Sequence, residues 1–292
     1  MVTIELTKKY ANISLIVFLV HGIMTSTIIL PIALVAIIGL IAGLGLAIAS
    51  KVMAVPVDEK AEQIEAVLPG ANCGACGFSG CSGYAAALSS GKTAETNRCA
   101  PGGTAVAAQV AEIMGTAASS VIPTTAVVLC MGNSANAENK MEYKGVKSCR
   151  MASQLFGGAK ECTYGCLGLG DCVAACPYDA IHICDGVARV STIACHSCKA
   201  CVNTCPKGII KMLPLNVTQA AVLCNNHEKG AQARKHCKAA CIGCMKCVKA
   251  CEHEAIIFEN FKATVDPEKC VGCGKCHGVC PVGCIDLITP KA

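Results

Sequence analysis

The sequence contains no tryptophan, and aromatic residues make up only 3% of its 292 residues. With so few large side chains, a conventional hydrophobic core would be thin. Motifs for nucleotide binding and hydrolytic catalysis are also missing: the sequence has no Walker motif, no Rossmann GxGxxG after a strand and no GxSxG nucleophile elbow. We therefore expect no nucleotide site in this chain, and no nucleic-acid partner.

Cysteine and glycine, in contrast, are abundant, with 26 and 28 residues. The cysteines fall into short runs, of which the clearest is Cys195-x2-Cys198-x2-Cys201-x3-Cys205-Pro206. This is the spacing of a bacterial ferredoxin, in which three thiolates hold one [4Fe–4S] cube and the fourth, before proline, ligates the other. Variants of the run recur on both sides, which predicts several cubes that pass single electrons among them.

Two other uses of dense cysteine are weaker interpretations. Disulfides are common in short secreted chains, but they do not need metal-ligand spacing. Zinc also uses Cys-x2-Cys pairs, but its sites usually combine two separated pairs, whereas here triplets precede Cys-Pro. A structural or redox-sensing metal protein would contain zinc, or clusters that ferredoxin does not reduce. Thiolate clusters imply a reducing compartment, so we expect the cysteine-rich part to lie in the cytoplasm.

An apolar segment near the N-terminus predicts a membrane anchor. The stretch from Ile28 to Ala49 carries no charge and is long enough for a hydrocarbon core of ~30 Å. We predict a single-pass anchor at 28–50, after an N-terminal extension at 1–27. A signal peptide cleaved after Ala49 is the alternative, but the apolar run is longer than a signal sequence needs. The expected location is the cytoplasmic membrane, with the cysteine-rich domains on the cytoplasmic side.

The rest of the chain predicts an α+β fold built from three cysteine modules. The first, at 51–104, is a small α-helical module for one [4Fe–4S] cluster, and it begins with an amphipathic pattern capped by Asp58. A helix and linker follow at 105–124. Two tandem ferredoxin-like units, each with two clusters, complete the chain: a central unit at 125–223 and a C-terminal unit at 224–292.

The spacing assigns four cysteines to each of five clusters, with crossed ligands in both ferredoxin-like units. The expected sets are Cys73, Cys76, Cys81 and Cys99; Cys162, Cys166, Cys172 and Cys205; Cys176, Cys195, Cys198 and Cys201; Cys241, Cys244, Cys247 and Cys280; and Cys251, Cys270, Cys273 and Cys276. Glu252 directly follows Cys251, at a position where this kind of cysteine run usually has a proline. That position is not a ligand, so we expect only a local turn change and an added negative charge.

Six cysteines remain: Cys130, Cys149, Cys184, Cys224, Cys237 and Cys284. Cys130 and Cys224 end similar segments, AVVLC and AAVLC, and each is followed by another cysteine, Cys149 and Cys237 respectively. One hypothesis is that these four bind a sixth cluster. The equally weighted alternative is that they are buried thiols acting as small hydrophobic side chains. The other two of the six are expected to be structural.

Positive charge is concentrated at the C-terminal end. Residues 195–292 carry 13 Lys and Arg against 7 Asp and Glu, whereas residues 51–194 carry 10 against 12. One interpretation is an ordinary solvated surface, and the other is a docking face for an acidic carrier protein. The predicted face consists of Arg234, Lys235, Lys238, Lys246, Lys249 and Lys275.

The order of an anchor, PGANCGACGFSGC, ECTYGCLGLGDCVAACPYDAI and two ferredoxin runs resembles the B subunit of the Rnf complex, over about residues 28–292. That complex is a membrane-bound ferredoxin:NAD⁺ oxidoreductase that pumps sodium ions or protons. The resemblance implies a translocase subunit that accepts electrons from reduced ferredoxin and relays them through five or six [4Fe–4S] clusters to other Rnf subunits. The alternative is a membrane-tethered polyferredoxin serving a hydrogenase or another dehydrogenase.

Overall fold

The computed structural model describes residues 30–52, 58–117 and 119–290. The chain divides into two units, with the boundary between Val57 and Asp58, and each unit is described by itself. The predicted extension at 1–27 and the first two residues of the predicted anchor lie outside the described residues.

The first unit contains one apolar helix, α1, at Leu30–Val52. Its side chains are exposed, and its first charged residue is Lys51. The helix has 23 residues, which at 1.5 Å per residue span about 35 Å. By length and composition it can cross a bilayer, in agreement with the predicted anchor.

Three helices form the N-terminal module of the second unit. They are α2 (Glu59–Val67), α3 (Cys81–Ser89) and α4 (Gly103–Met114). The predicted cap, Asp58, accepts a hydrogen bond from the backbone N–H of Lys60 at 3.1 Å, which satisfies one of the free donors at the start of α2. Ile64, Leu88 and Val110, one from each helix, are fully buried and form the centre of a small apolar core.

The central ferredoxin-like unit is built on two antiparallel strand pairs. Its elements are β1 (Thr124–Val128), α5 (Cys149–Ser153), α6 (Asp171–Ala174), β2 (Ile181–Cys184), β3 (Val187–Val190), α7 (Ala200–Thr204) and β4 (Ile210–Pro214). The first strand pairs with the last, with Ala126 opposite Met212, and β2 pairs with β3 as a hairpin. Asp185 and Gly186 form the hairpin turn with positive φ at both positions, which is the conformation that a two-residue turn requires.

The C-terminal unit repeats this plan. Its elements are β5 (Gln219–Val222), α8 (Gly230–His236), α9 (Lys246–Ala250), β6 (Ile256–Glu259), β7 (Lys262–Val265), α10 (Lys275–Gly278) and β8 (Ile285–Ile288). Again the first strand pairs with the last and the middle two form a hairpin. The predicted α+β fold with two tandem ferredoxin-like units is confirmed.

The buried side chains are mostly small aliphatic residues and cysteines. In the central unit, Val128, Ile181 and Ile210 pack around several buried cysteines, and the C-terminal unit has a comparable cluster. A separate apolar cluster joins the two ferredoxin-like units, because Val127 of β1 packs with Leu223, which follows β5. The cysteines therefore lie where a conventional protein has its core.

Candidate metal centres

Five cavities of similar size lie inside the second unit, with volumes between 320 and 360 Å³. Each is lined by at least four cysteines. The nearly equal volumes and the thiol linings fit one kind of guest, a [4Fe–4S] cube with one thiolate on each iron.

Three cavities bring together the cysteines that the spacing groups. The first is lined by Cys176, Cys195, Cys198 and Cys201, the second by Cys241, Cys244, Cys247 and Cys280, and the third by Cys251, Cys270, Cys273 and Cys276. In each, three thiols come from one run and the fourth comes from the other run of the same unit. This is the crossed arrangement of a two-cluster ferredoxin.

The other two cavities differ from the expected sets by one exchange. The first of them is lined by Cys149, Cys166, Cys172 and Cys205. The second, which we call the inner site, is lined by Cys130, Cys162, Cys224 and Cys237. Relative to the expected sets, Cys149 and Cys162 have changed places.

Contacts of the two cysteines explain this exchange. The Asp171 carboxylate accepts a hydrogen bond from the Cys149 backbone N–H at 2.9 Å, which fixes the start of α5 beside the start of α6. Asp171 is the first residue of α6 and Cys172 is the second, so Cys149 reaches the same cavity as Cys172. Cys162 instead lies beside Asn226, whose side-chain amide is 3.8 Å from its sulfur. Its wider spacing from Cys166 allows the two thiols to face different cavities.

The inner site lies at the junction of the two ferredoxin-like units. Cys130 follows β1 and Cys224 follows β5, and both are buried. The backbone N–H of Cys166 donates to Cys130 Sγ, and that of Cys241 donates to Cys224 Sγ, both at 3.3 Å. Each donor residue itself belongs to a neighbouring cysteine set. The inner site thus contacts one site of the central unit and one of the C-terminal unit.

Burial makes an uncoordinated thiolate unfavourable in the inner site. Burial raises the pKa of Cys224 to about 11, even though backbone N–H groups of Asn226 and Cys241 hydrogen-bond to its sulfur. Burial also raises the pKa of Cys237. Because thiolates are the form that binds iron, a cationic metal centre would supply the compensation that the protein interior lacks.

A sixth group of cysteines lies in the N-terminal module. Cys76, Cys81 and Cys99 pack against its apolar core, and Cys81 donates its backbone N–H to the Asn72 side chain at 2.8 Å. Burial raises the pKa of Cys99, and the nearby Cys81, Cys73 and Cys76 thiols raise it further. The four cysteines that the spacing groups are therefore neighbours in space.

Two glycines allow the cysteine loops to pack closely against other backbone segments. A Cβ on Gly168, at φ +74°, would lie 2.4 Å from the carbonyl oxygen of Gly186. A Cβ on Gly272, at φ +71°, would lie 2.2 Å from that of Thr218. Both positions need glycine for its conformation and for its lack of a side chain.

Cys284 has a more specific position than the structural role expected from the sequence. It lines the same cavity as Cys241 and Cys280, and its sulfur is 3.7 Å from that of Cys280. A hydrogen bond with Cys284 lowers the pKa of Cys241 to about 5 and raises that of Cys284. The raised pKa favours the protonated form of Cys284, which can serve as an S–H donor at the site. Cys184, in contrast, is exposed at the end of β2.

The basic residues of the predicted docking face lie on three helices. Arg234, Lys235 and Lys238 lie in or just after the last turn of α8, Lys246 and Lys249 lie on α9, and Lys275 begins α10. Helices α9 and α10 pack against each other. Lys275 forms an ion pair with Glu252, so its charge is partly neutralised. The α9 lysines lie close in sequence to Cys244, which is exposed, as is Cys273 next to α10.

Family comparisons agree with these sites. Residues 236–287 match a family described as a 4Fe-4S dicluster domain, and residues 194–208 match a 4Fe-4S binding domain. Residues 68–101 match a family described as a putative Fe-S cluster. Domains of this kind bind [4Fe–4S] clusters, and several regions of the chain match such domains.

Several relatives align over nine-tenths of the chain. The chain is 45% identical over 263 residues, which is 90% of this chain and 78% of the relative, to the B subunit of the Na(+)-translocating ferredoxin:NAD(+) oxidoreductase complex of Acetobacterium woodii. It is 38% identical, over 90% of this chain and 100% of the relative, to the B subunit of the ion-translocating oxidoreductase complex of Methanosarcina acetivorans. The corresponding proton-translocating protein of Clostridium ljungdahlii is 40% identical, over 90% and 93% of the two chains. The chain belongs to the family of Rnf B subunits.

Membership of the Rnf B family accounts for the main features of the molecule. Its relatives are components of multi-subunit oxidoreductase complexes. The ferredoxin-type domains make the chain an electron-transfer component. An apolar helix of transmembrane length, α1, is consistent with association with a membrane complex.

Proposed function

We propose that this chain relays single electrons from reduced ferredoxin to the membrane subunits of an ion-translocating ferredoxin:NAD⁺ oxidoreductase. The observation that carries the proposal is a set of five cavities of nearly equal volume, each lined by four or more cysteines. The four neighbouring cysteines of the N-terminal module add a sixth group. The names of the relatives in Acetobacterium and Clostridium supply the substrate pair and the ion-translocating complex. NAD⁺ and the coupling ion, Na⁺ or H⁺, would then bind to other subunits.

The cysteines would hold six [4Fe–4S] clusters, which supply one-electron chemistry when bound. Four sets are those that the spacing predicts, and the remaining two are the Cys149 set (Cys149, Cys166, Cys172, Cys205) and the inner site (Cys130, Cys162, Cys224, Cys237). Backbone N–H donors to sulfur, such as those on Cys130 and Cys224, would stabilise the added negative charge of a reduced cluster. We keep the proposed domains at 51–104, 125–223 and 224–292, with the inner site shared by the last two.

The six sites follow one another along the second unit. Burial raises the pKa of Cys198, and the charge of Cys73 adds to this effect, so the site of the N-terminal module neighbours the Cys198 site. The hydrogen bonds to Cys130 and Cys224 support a position for the inner site between the Cys166 and Cys241 sites. The Cys273 site is then at one end of the series and the Cys73 site is at the other.

Electrons would enter at the C-terminal end of this series. Cys244 and Cys273 are the exposed members of their sets, and exposed ligands shorten the distance to a docked carrier. Lys246 and Lys249 are exposed nearby and would attract an acidic ferredoxin. The opposite end, at the N-terminal module, is closest in sequence to α1 and would deliver electrons to the membrane subunits from the cytoplasmic side.

Anaerobic reduction of the full chain in detergent by reduced ferredoxin tests this function. We expect reduced ferredoxin at low salt to remove the visible absorbance of the oxidised clusters, to the same extent as a chemical reductant. The rate should fall as salt rises, because docking depends on charge. A chain that contains its full iron, responds to the chemical reductant and does not react with reduced ferredoxin would contradict the entry role.

A further inference from the structure

Lys160 places a positive charge inside the second unit. Its side chain is only 8% exposed, and it lines the inner site together with Cys130, Cys162 and Cys237. The backbone of Lys160 is held by an antiparallel bridge to Asn139. Lysine is rarely buried without a compensating partner, so its position calls for a specific role.

The protein neutralises this ammonium only in part. Lys160 Nζ donates hydrogen bonds to the carbonyl oxygens of Gly132 and Gly186, both at 2.7 Å. An ammonium has three N–H donors, so one remains for the contents of the cavity. Across the described ranges, none of the ion pairs joins a carboxylate to Lys160. The anionic partner that a buried lysine needs would thus be the thiolates of the inner site and the cluster that they would hold.

The charge of Lys160 acts on cysteine sulfurs of two neighbouring sites. Lys160 opposes the rise in pKa that burial causes at Cys237 in the inner site and at Cys166 in the Cys149 set. Lys207 and Lys262 also interact with nearby cysteines, but both are more exposed than Lys160 and neither lines the inner site. Lys160 is therefore the cation most closely associated with the inner site.

We propose that Lys160 is a positioning residue that raises the reduction potential of the cluster in the inner site. Reduction adds one electron and no proton, so the negative charge on the cluster and its thiolates grows by one. A fixed cation in a medium of low dielectric stabilises that added charge, whereas burial alone would oppose it. The inner cluster would then accept an electron more readily than it would without the lysine, which favours transfer between the two ferredoxin-like units. This role of Lys160 rests on the proposed occupancy of the inner site.

Redox titrations followed by EPR test this role on the full chain. The variants are Lys160→Met, which removes the charge, Lys160→Arg, which keeps it, and Lys144→Met, which removes a lysine charge whose side chain is 79% exposed. We expect Lys160→Met to lower the equilibrium constant for reduction of one cluster about tenfold, which lowers its reduction potential by about 59 mV for one electron. Lys160→Arg and Lys144→Met should titrate close to the parent.

Iron content makes the outcomes separable. An unchanged titration of Lys160→Met with parental iron would overturn the proposal, and so would an equal shift in Lys160→Arg. If Lys160→Met loses iron, Lys160→Gln, which keeps amide donors without the charge, is titrated instead, and the same criteria apply. In a Cys224→Ser, Cys237→Ser background the shift should disappear. A parent chain with about 20 iron that loses none in the Cys224→Ser, Cys237→Ser background would instead show that the inner site is empty, which refutes the proposed occupancy.

Discussion

The backbone N–H of Cys166 donates a hydrogen bond to Cys130 Sγ at 3.3 Å, and this contact links two cysteine sets that the sequence separates. The equivalent contact in the C-terminal unit, from Cys241 to Cys224, has the same length. The similar segments AVVLC and AAVLC are therefore equivalent in structure as well as in sequence. Each runs past the end of a strand and presents a thiol to the first run of its own unit. Together the two contacts make the inner site the connection between the ferredoxin-like units.

The exchange of Cys149 and Cys162 gives a direct test by pairs of substitutions. Cys149→Ser with Cys172→Ser removes two thiols from one set, so we expect a loss of about four iron per chain. Cys162→Ser with Cys172→Ser removes thiols from two sets and should cost about eight. The sets expected from spacing predict the reverse: about four for this second pair and, if the sixth cluster is counted, about eight for the first. Cys184→Ser, at an exposed thiol outside every set, is the matched control and should leave the iron content unchanged.

Asp171 should be needed to keep Cys149 at its site. Its carboxylate accepts hydrogen bonds from the backbone N–H groups of Cys149 and Arg150 and from the Ser148 hydroxyl, at 2.9 to 3.1 Å. Each hydrogen bond to a charged group contributes about 1.5–3 kcal/mol. We expect Asp171→Ala to release iron from the Cys149 set to a chelator faster than the parent does. Asp179→Ala, at an aspartate whose side chain is 88% exposed, is the control. Equal release rates in the two variants would refute this anchoring role.

Cys284 should tune its site without binding iron. Because Cys284 is a fifth thiol at this site and its raised pKa favours the protonated form, we expect Cys284→Ala to retain the full iron content. Loss of the S–H donor should lower the potential of that cluster, since hydrogen bonds to sulfur stabilise the reduced form. Cys280→Ala, at the neighbouring thiol, should lose about four iron. EPR titration with iron analysis separates the two, and loss of iron in Cys284→Ala would make it a ligand.

The α9 lysines should determine how fast ferredoxin reacts. Lys246→Glu with Lys249→Glu reverses two exposed charges beside the Cys244 site, and we expect at least an approximately tenfold slower reduction by ferredoxin at low salt. The difference should shrink as salt rises. Stopped-flow measurement of cluster absorbance checks this, with Lys144→Glu as a control at an exposed lysine in the central unit. An unchanged rate would move the docking face elsewhere, with Arg234, Lys235 and Lys238 of α8 as the next charges to reverse.

Local sequence predicts those parts of the molecule that depend on neighbouring residues. The cap at Asp58, the apolar helix α1 and the regular Cys-x2-Cys-x2-Cys runs each depend on a few adjacent positions, and the structure shows them where the sequence indicates. The regular runs also bring their own thiols to one cavity. Crossed ligands join two separate runs, but they are also predictable, because each unit repeats the same order of strands and so brings its two runs together.

The exchanged cysteines could not be predicted from spacing, because their positions depend on distant segments. Cys149 is positioned by Asp171, 22 residues away, and Cys162 lies beside Asn226 at a separation of 64 residues. The only local signal was the irregular spacing between Cys162 and Cys166. Lys160 gave no signal, since lysine is rarely buried in any sequence context, and its burial follows from the packing of the Gly132 and Gly186 loops around it.

Iron, acid-labile sulfide and zinc per chain, measured on the anaerobically purified full-length protein, test the central claim most directly. Six [4Fe–4S] sites predict about 24 iron with an equal amount of sulfide and no stoichiometric zinc. About 20 iron would contradict six occupied sites, and an unchanged content in the Cys224→Ser, Cys237→Ser variant would then identify the inner site as the empty one. Zinc in place of sulfide would contradict the electron relay itself.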